Sequence, residues 1–284
     1  MNMKRNIVGM VLLSGCLAGA VVAAERDDSA SERLGFKLSL QCYTFNYLTF
    51  YETVDKAAAL GIKYLELFPG QKIRAGSEKK IEDTITDVVA CEEVMKKVSD
   101  AGLKMVAYGV CWAPTKEPLA STMMEWAKKL GVEVLVVNTH PNALLDKLSA
   151  NYKIRIALHN HPKSWPPEEV LKACAGLNPL IGSCSDTGHW MRDTLVPIDS
   201  LRQLKGRVEH LHLKDLNDFG KGHDVVWGTG KADIKAILAE LKRQEFKGYL
   251  SIEYERGRDY NTTDLPLCVA YFDKIATELA KQSP

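Results

Sequence analysis

The stretch KIRIALHNHP, residues 153–162, ends an apolar run on two histidines spaced two apart. Alternate side chains of a β-strand point to opposite faces, so His159 and His161 share one face while Ile154, Ile156 and Leu158 share the other. A single pair of this kind is compatible with satisfied core histidines. The arrangement recurs: RVEHLHLKD (207–215) sets His210 and His212 two apart at a strand end, and GYLSIEYER (248–256) does the same with Glu253 and Glu255.

Read outward from these segments, the chain alternates. Strands are expected over 36–45, 62–68, 103–111, 132–138, 153–161, 180–188, 207–215 and 248–255. Helical segments fall between them, several stopped by a glycine such as Gly61, Gly102 or Gly131. A charged excursion occupies 71–82, and the last helix is expected over 265–281. Eight βα units over residues 36–284 match a single-domain α/β (β/α)8 barrel, a TIM barrel, in number and length. The competing doubly wound sheet would carry a glycine-rich turn after its first strand, and QCYTFNY (41–47) has none.

Residues 1–24 are read apart from the fold. Lys4 and Arg5 precede an apolar run from Ile7 to Val22 and a small-residue ending before Glu25, the pattern of a secretory signal. LSGC (13–16) offers the alternative of lipid attachment at Cys16, but the run stays apolar beyond that cysteine, which favours export to a bacterial periplasm. The run is too short to span a membrane. Residues 25–35 then form a short extension. Loss of Lys4 and Arg5 takes the formal charge of +1 to about −1, without the electrostatic footprint of a nucleic-acid binder. The remaining cysteines lie in or beside apolar segments without CxxC spacing, as buried thiols do.

Barrel active sites lie at the carboxyl ends of the strands. There the sequence collects Glu66, His140, His159, His161, Asp186, His189, His210, His212, Lys214, Asp215, Glu253 and Glu255. Imidazoles mixed with carboxylates suit Mn²⁺, Zn²⁺ or Co²⁺ better than Mg²⁺, which prefers oxygen ligands and water. Trp112, Trp165, Trp190 and Trp227 fall in expected rim loops where sugar faces could stack, whereas Trp126 falls inside a helix as a core residue. WGTGK (227–231) reads as a turn closing the site rather than a phosphate cradle.

With ALHNHP, SDTGH, HLHLKD, WGTGKADI and LSIEYE in this order, the chain from about Lys37 onward resembles the xylose isomerase-like TIM-barrel superfamily of sugar isomerases, epimerases and AP endonucleases of family 2. The resemblance implies a metal centre on His159, Asp186, His212 and Glu253. It also implies catalytic roles for Glu253 and His159 in proton exchange. His159 is a departure, standing where the sugar-epimerising members carry a glutamate, and the symmetric two-glutamate mechanism is thereby put in question. His189 matches a substrate-contacting or further metal-contacting histidine, and Glu66 a substrate contact or a salt-bridge residue. Lys214 could stabilise an enolate oxygen or serve as a structural ion pair. His161, His210 and Glu255 are candidates to touch substrate or to orient the ligands.

The implied reaction is isomerisation or epimerisation of a neutral sugar or keto-sugar through a metal-stabilised enediolate. Elimination from a keto-glycoside on the same centre is the alternative, and a non-catalytic sugar-binding barrel a second one. An AP endonuclease is disfavoured because NDFGKGHDVVWG (217–228) lacks the Asp-x-His spacing of that group's further ligands.

Overall fold

The computed structural model describes residues 26–282, so the expected signal segment, with the alternative lipid site at Cys16, lies outside the described residues. Among the described residues, eight parallel strands pair in chain order and the last returns to the first, closing a barrel. They are β1 (Phe36–Gln41), β2 (Tyr64–Leu67), β3 (Lys104–Cys111), β4 (Val134–Val137), β5 (Arg155–His159), β6 (Ile181–Asp186), β7 (Val208–Leu213) and β8 (Gly248–Ile252). The outer ring is built from α1 (Ser29–Leu34), α2 (Phe50–Ala59), α3 (Val88–Asp100), α4 (Leu119–Leu130), α5 (Ala143–Tyr152), α6 (Pro167–Ala173), α7 (Thr187–Arg192), α8 (Pro197–Gln203), α9 (Ile234–Arg243) and α10 (Arg258–Ala280).

Strand alternation separates two interiors. Ile156 and Leu158 face the helices and join the large shell of buried apolar side chains, while Ala157 faces the lumen with Val134, Val136, Cys184 and Tyr249. Towards the carboxyl ends of the strands the lumen turns polar, with Ser39, Gln41, Glu66, His210 and Ser251 all buried. Buried polar groups are costly unless hydrogen-bonded, so this layer has to be closely satisfied.

Where the elements end differently from expectation, a side chain makes the stop. The first strand ends at Gln41 rather than residue 45 because its side chain accepts from Tyr43 N (3.0 Å) and starts a 3-10 turn over Cys42–Phe45. The sixth ends at Asp186 rather than 188 because Asp186 caps α7, accepting from His189 N at 2.7 Å. The fifth stops at His159. Within the expected extension, α1 packs on α10, with Arg26 paired to Asp273 at 2.5 Å. The last helix begins earlier than expected and runs through Pro266. No helix among the described residues is long and apolar enough to cross a membrane. Cys42, Cys91, Cys111, Cys174, Cys184 and Cys268 are buried and free.

Candidate metal centre

The register of the barrel brings the expected ligands together. Asp186 pairs with His212 across β6 and β7, His159 with Cys184 across β5 and β6, and Glu253 follows β8 on the face of Ser251. His159 Nε2 lies 2.9 Å from His212 Nδ1 and 3.5 Å from Asp186 Oδ2. His212 Nδ1 is 3.0 Å from Glu253 Oε2 and 3.8 Å from Asp186 Oδ2. His189 also approaches, with Nε2 3.7 Å from Asp186 Oδ2. All five side chains are buried.

Neighbouring groups hold each of them. The Asn160 side chain extends the β5–β6 ladder, donating to Asp186 O (3.0 Å) and accepting from Asp186 N (2.8 Å). Because Asp186 Oδ1 caps α7, Oδ2 is left to face the site. His212 Nε2–H donates to Glu66 Oε1 (2.8 Å), which leaves the Nδ1 lone pair directed at the cluster. His159 Nδ1 faces His161 Nδ1 at 3.3 Å, so its Nε2 carries the lone pair when Nδ1 donates. His189 differs: its Nδ1 accepts from Arg192 Nη1 (2.9 Å), which places its proton on Nε2, towards Asp186.

Lys214 is fully buried, with Nζ 3.0 Å from Asp186 Oδ2 and 2.7 Å from both Glu253 Oε2 and Glu255 Oε2. It meets Glu253 rather than Asp215. Burial pulls its pKa down, but Asp186, Glu253 and Glu255 outweigh this and hold it well above the ordinary lysine value. Gly188 provides the room, since a Cβ there would come within 2.8 Å of the Lys214 side chain. Burial raises both Asp186 and Glu253, but the Lys214 ammonium beside them lowers them further than burial lifts them, so both stay ionised. Burial pushes His159 down to about 4 and His189 to about 2, which keeps both imidazoles neutral and able to coordinate or donate.

This donor set fits a divalent metal ion. Among the described residues, Asp186 Oδ2 and Glu253 Oε2 are buried acceptors without a hydrogen-bond donor, although the Lys214 charge is close. Donor atoms from His159, Asp186, His189 and Glu253 all lie within 4.8 Å of one another. The tautomers separate them: His159 Nε2, His212 Nδ1, Asp186 Oδ2 and Glu253 Oε2 can offer lone pairs, whereas His189 presents N–H.

Several sequence expectations change. Glu66 does not face substrate; it is fully buried and bonded to Gln41, His210, His212 and Ser251. Trp190 and Trp227 are core residues at 1% exposure, because the first lies inside α7 and the second packs against Phe272 on α10. Trp165 is also buried, its ring 4.4 Å from that of His140. Trp112 alone of the four rim tryptophans is open, at 74% exposure. Half-buried His161 sits beside His159, and Glu255 bonds Lys214 and Arg192. Trp126 is buried as expected and donates to Thr84 Oγ1. The WGTGK turn is tied down by Asp215, whose carboxylate accepts from the amides of Gly228, Gly230 and Ala232.

Asn160, Arg192 and Asp224 were missed in the sequence. Arg192 links His189 to Glu255 (2.9 Å) and to Asp224 (3.2 Å), and burial pushes Asp224 up to about 7. Its spacing of three from His189 is a helical signal, visible only once Asp186 is recognised as a cap.

A family profile described as xylose isomerase-like TIM barrel matches residues 140–267. An inosose dehydratase of Clostridium botulinum is 28% identical across 39% of this chain and 44% of its own length, so the chain spans less than half of that curated relative. A solved structure of an uncharacterised protein from Parabacteroides distasonis is 36% identical, covers 84% of this chain and 98% of its own, and has a TM-score of 0.65. The IOLI protein, solved with a binding zinc atom, shares the fold at 19% identity and a TM-score of 0.61, over 86% of this chain and 98% of its own.

Proposed function

Because the chain belongs to the xylose isomerase-like TIM barrel family, we propose that it is a divalent-metal-dependent lyase acting on a keto-sugar, removing a proton beside the carbonyl and expelling the β-substituent. The observation that carries this reading is the state of His159. Both its nitrogens are engaged inside the pocket, Nε2 towards His212 and Asp186 and Nδ1 towards His161, and the residue is 1% exposed. It lacks the carboxylate that the glutamate expected at that position would offer for proton exchange. Epimerisation by two opposed bases is therefore disfavoured, and Glu253 remains as the single carboxylate base. One base supports either same-face isomerisation or elimination, and the similarity to inosose dehydratases favours elimination.

His159, Asp186, His212 and Glu253 would hold the ion, and Mn²⁺, Zn²⁺ or Co²⁺ suits their mixed nitrogen and oxygen donors. When bound, the ion polarises the substrate carbonyl and acidifies the neighbouring C–H. Glu253 takes that proton, the carbon–carbon double bond forms, and the β carbon–oxygen bond breaks with its electron pair leaving on oxygen. His161, half-buried at the pocket edge where it can take a proton from solvent, would pass that proton to the departing oxygen and return to the neutral imidazole. Lys214 keeps Asp186 and Glu253 ionised and aligned. Trp112 is the ring available at the rim for an apolar sugar face. Export, which residues 1–24 support, would place the reaction in the periplasm.

The test is to incubate the metal-loaded chain in D₂O with 3-keto-glycosides and with neutral ketoses, following products by NMR. Release of the β-substituent with an unsaturated keto-sugar is expected. Deuterium entering an isomerised sugar without release would replace the lyase with an isomerase. Silence on both panels would overturn the reading.

A further inference from the structure

Glu66 receives four hydrogen bonds in the polar layer of the lumen. Its Oε1 accepts from Gln41 Nε2 (2.8 Å) and His212 Nε2 (2.8 Å), and its Oε2 from His210 Nε2 (2.7 Å) and Ser251 Oγ (2.6 Å). A carboxylate offers about four lone-pair sites, so all are taken and none remains for a ligand. The side chain is completely buried, as are those of His210 and His212. With donors on both of its oxygens, the geometry favours the carboxylate form.

The donors are themselves fixed. The Gln41 amide cannot turn over, because its oxygen accepts from Tyr43 N and its nitrogen also donates to Gly109 O (3.0 Å). Ser251 is hydrogen-bonded to Ser39 at 2.7 Å. Glu66 therefore reaches from β2 through the space beside β1 and β8 to β7, anchored at every oxygen, and it meets His212 on the nitrogen opposite the cluster.

We propose that Glu66 is a positioning residue for the metal centre: it fixes His212 as the Nε2–H tautomer, with the Nδ1 lone pair aimed at His159, Asp186 and Glu253, while His210 and Ser251 anchor it from the other oxygen. This rests on the metal reading given above. An imidazole free to protonate on Nδ1 would turn an N–H towards the ion, whereas a carboxylate on Nε2 excludes that form and makes Nδ1 a stronger donor.

The experiment uses zinc alone as the probe, on the mature chain. ¹⁵N NMR of the zinc-loaded wild type should show His212 coordinated through Nδ1 with a slowly exchanging Nε2–H; zinc on Nε2 would overturn the proposal. Zinc affinity is then measured for two variants whose fold is checked by circular dichroism. Glu66→Leu removes every acceptor and should bind zinc about 10–100-fold more weakly. Glu66→Gln keeps one acceptor oxygen without the charge and should fall between the two, a partial rescue that a purely packing role would not produce. Affinity within twofold of wild type in folded Glu66→Leu, or in Glu66→Gln should the leucine variant not fold, overturns it. Asp186→Ala and Glu253→Ala separate the two readings: if they lose zinc while the Glu66 variants keep it, only the positioning role falls. If they retain full zinc, the metal centre itself is wrong.

Discussion

Glu209 predicts an alkaline weakness in the strand that carries His210 and His212. The pairing of β7 with β6 passes from Val208 opposite Ser183 to His210 opposite Cys184, and Glu209 is the residue skipped by that shift. Its side chain is 10% exposed and lies 3.0 Å from Arg155. Burial raises its pKa from 4.5 to about 7 despite Arg155 and Arg207, which pull the other way. The folded chain thus holds this proton more tightly than the unfolded chain. The stability it contributes is fully present below pH 4.5 and is lost as pH rises through about 7. At about 1.4 kcal/mol per pKa unit, the loss is about 3 kcal/mol. Glu209→Gln keeps an acceptor for Arg155 and cannot ionise, so it escapes this loss. Urea unfolding of both proteins at pH 5 and pH 8 should show the variant gaining most of that amount on the wild type as pH rises. Parallel behaviour at the two pH values, or a variant that loses ground at pH 8, would refute the argument.

Gly188→Ala should cost about 1–3 kcal/mol by overpacking, because its Cβ would press within 2.8 Å of the buried Lys214 side chain; thermal unfolding reports the loss. Asp215→Ala leaves the amides of Gly228, Gly230 and Ala232 without their acceptor, and limited proteolysis should cut near residue 228 before the rest of the barrel. Trp190→Ala should cost about 3–5 kcal/mol, whereas Trp112→Ala should stay within about 0.5 kcal/mol of wild type and instead raise KM for the sugar.

The strands were legible because parallel strands buried on both faces are written as apolar runs, and the strand-end pairs stood out because period-two spacing is independent of what surrounds it. His159, Asp186, His212 and Glu253 could be found together for that reason. The tryptophans were misplaced because loop position says little about burial: Trp190 lies in a six-residue helix that begins on a capping aspartate, and Trp227 opens the WGTGK turn with its ring packed on Phe272 of α10. Glu66 was found as a strand-end residue but not with its hydrogen-bond partners. Its partners come from β1, β7 and β8, and a hydrogen-bond set that crosses the lumen leaves no local pattern in the chain.

The substitution at residue 159 and the burial of Lys214 answer one electrostatic requirement. Asp186, Glu253 and Glu255 bring three carboxylates to the Lys214 ammonium, and Arg192 reaches both Glu255 and Asp224 beside them. A divalent ion beside Lys214 would offset much of that negative charge. A glutamate at 159 would add a further negative charge among these buried side chains, where an unpaired charge is expensive. A neutral imidazole at that position adds no charge, and on the proposed reading it leaves Glu253 as the one carboxylate base. On the proposed one-base reading, His159→Glu should change both the charge of the pocket and the proton transfer it supports, and zinc affinity together with deuterium exchange into a ketose would report the two.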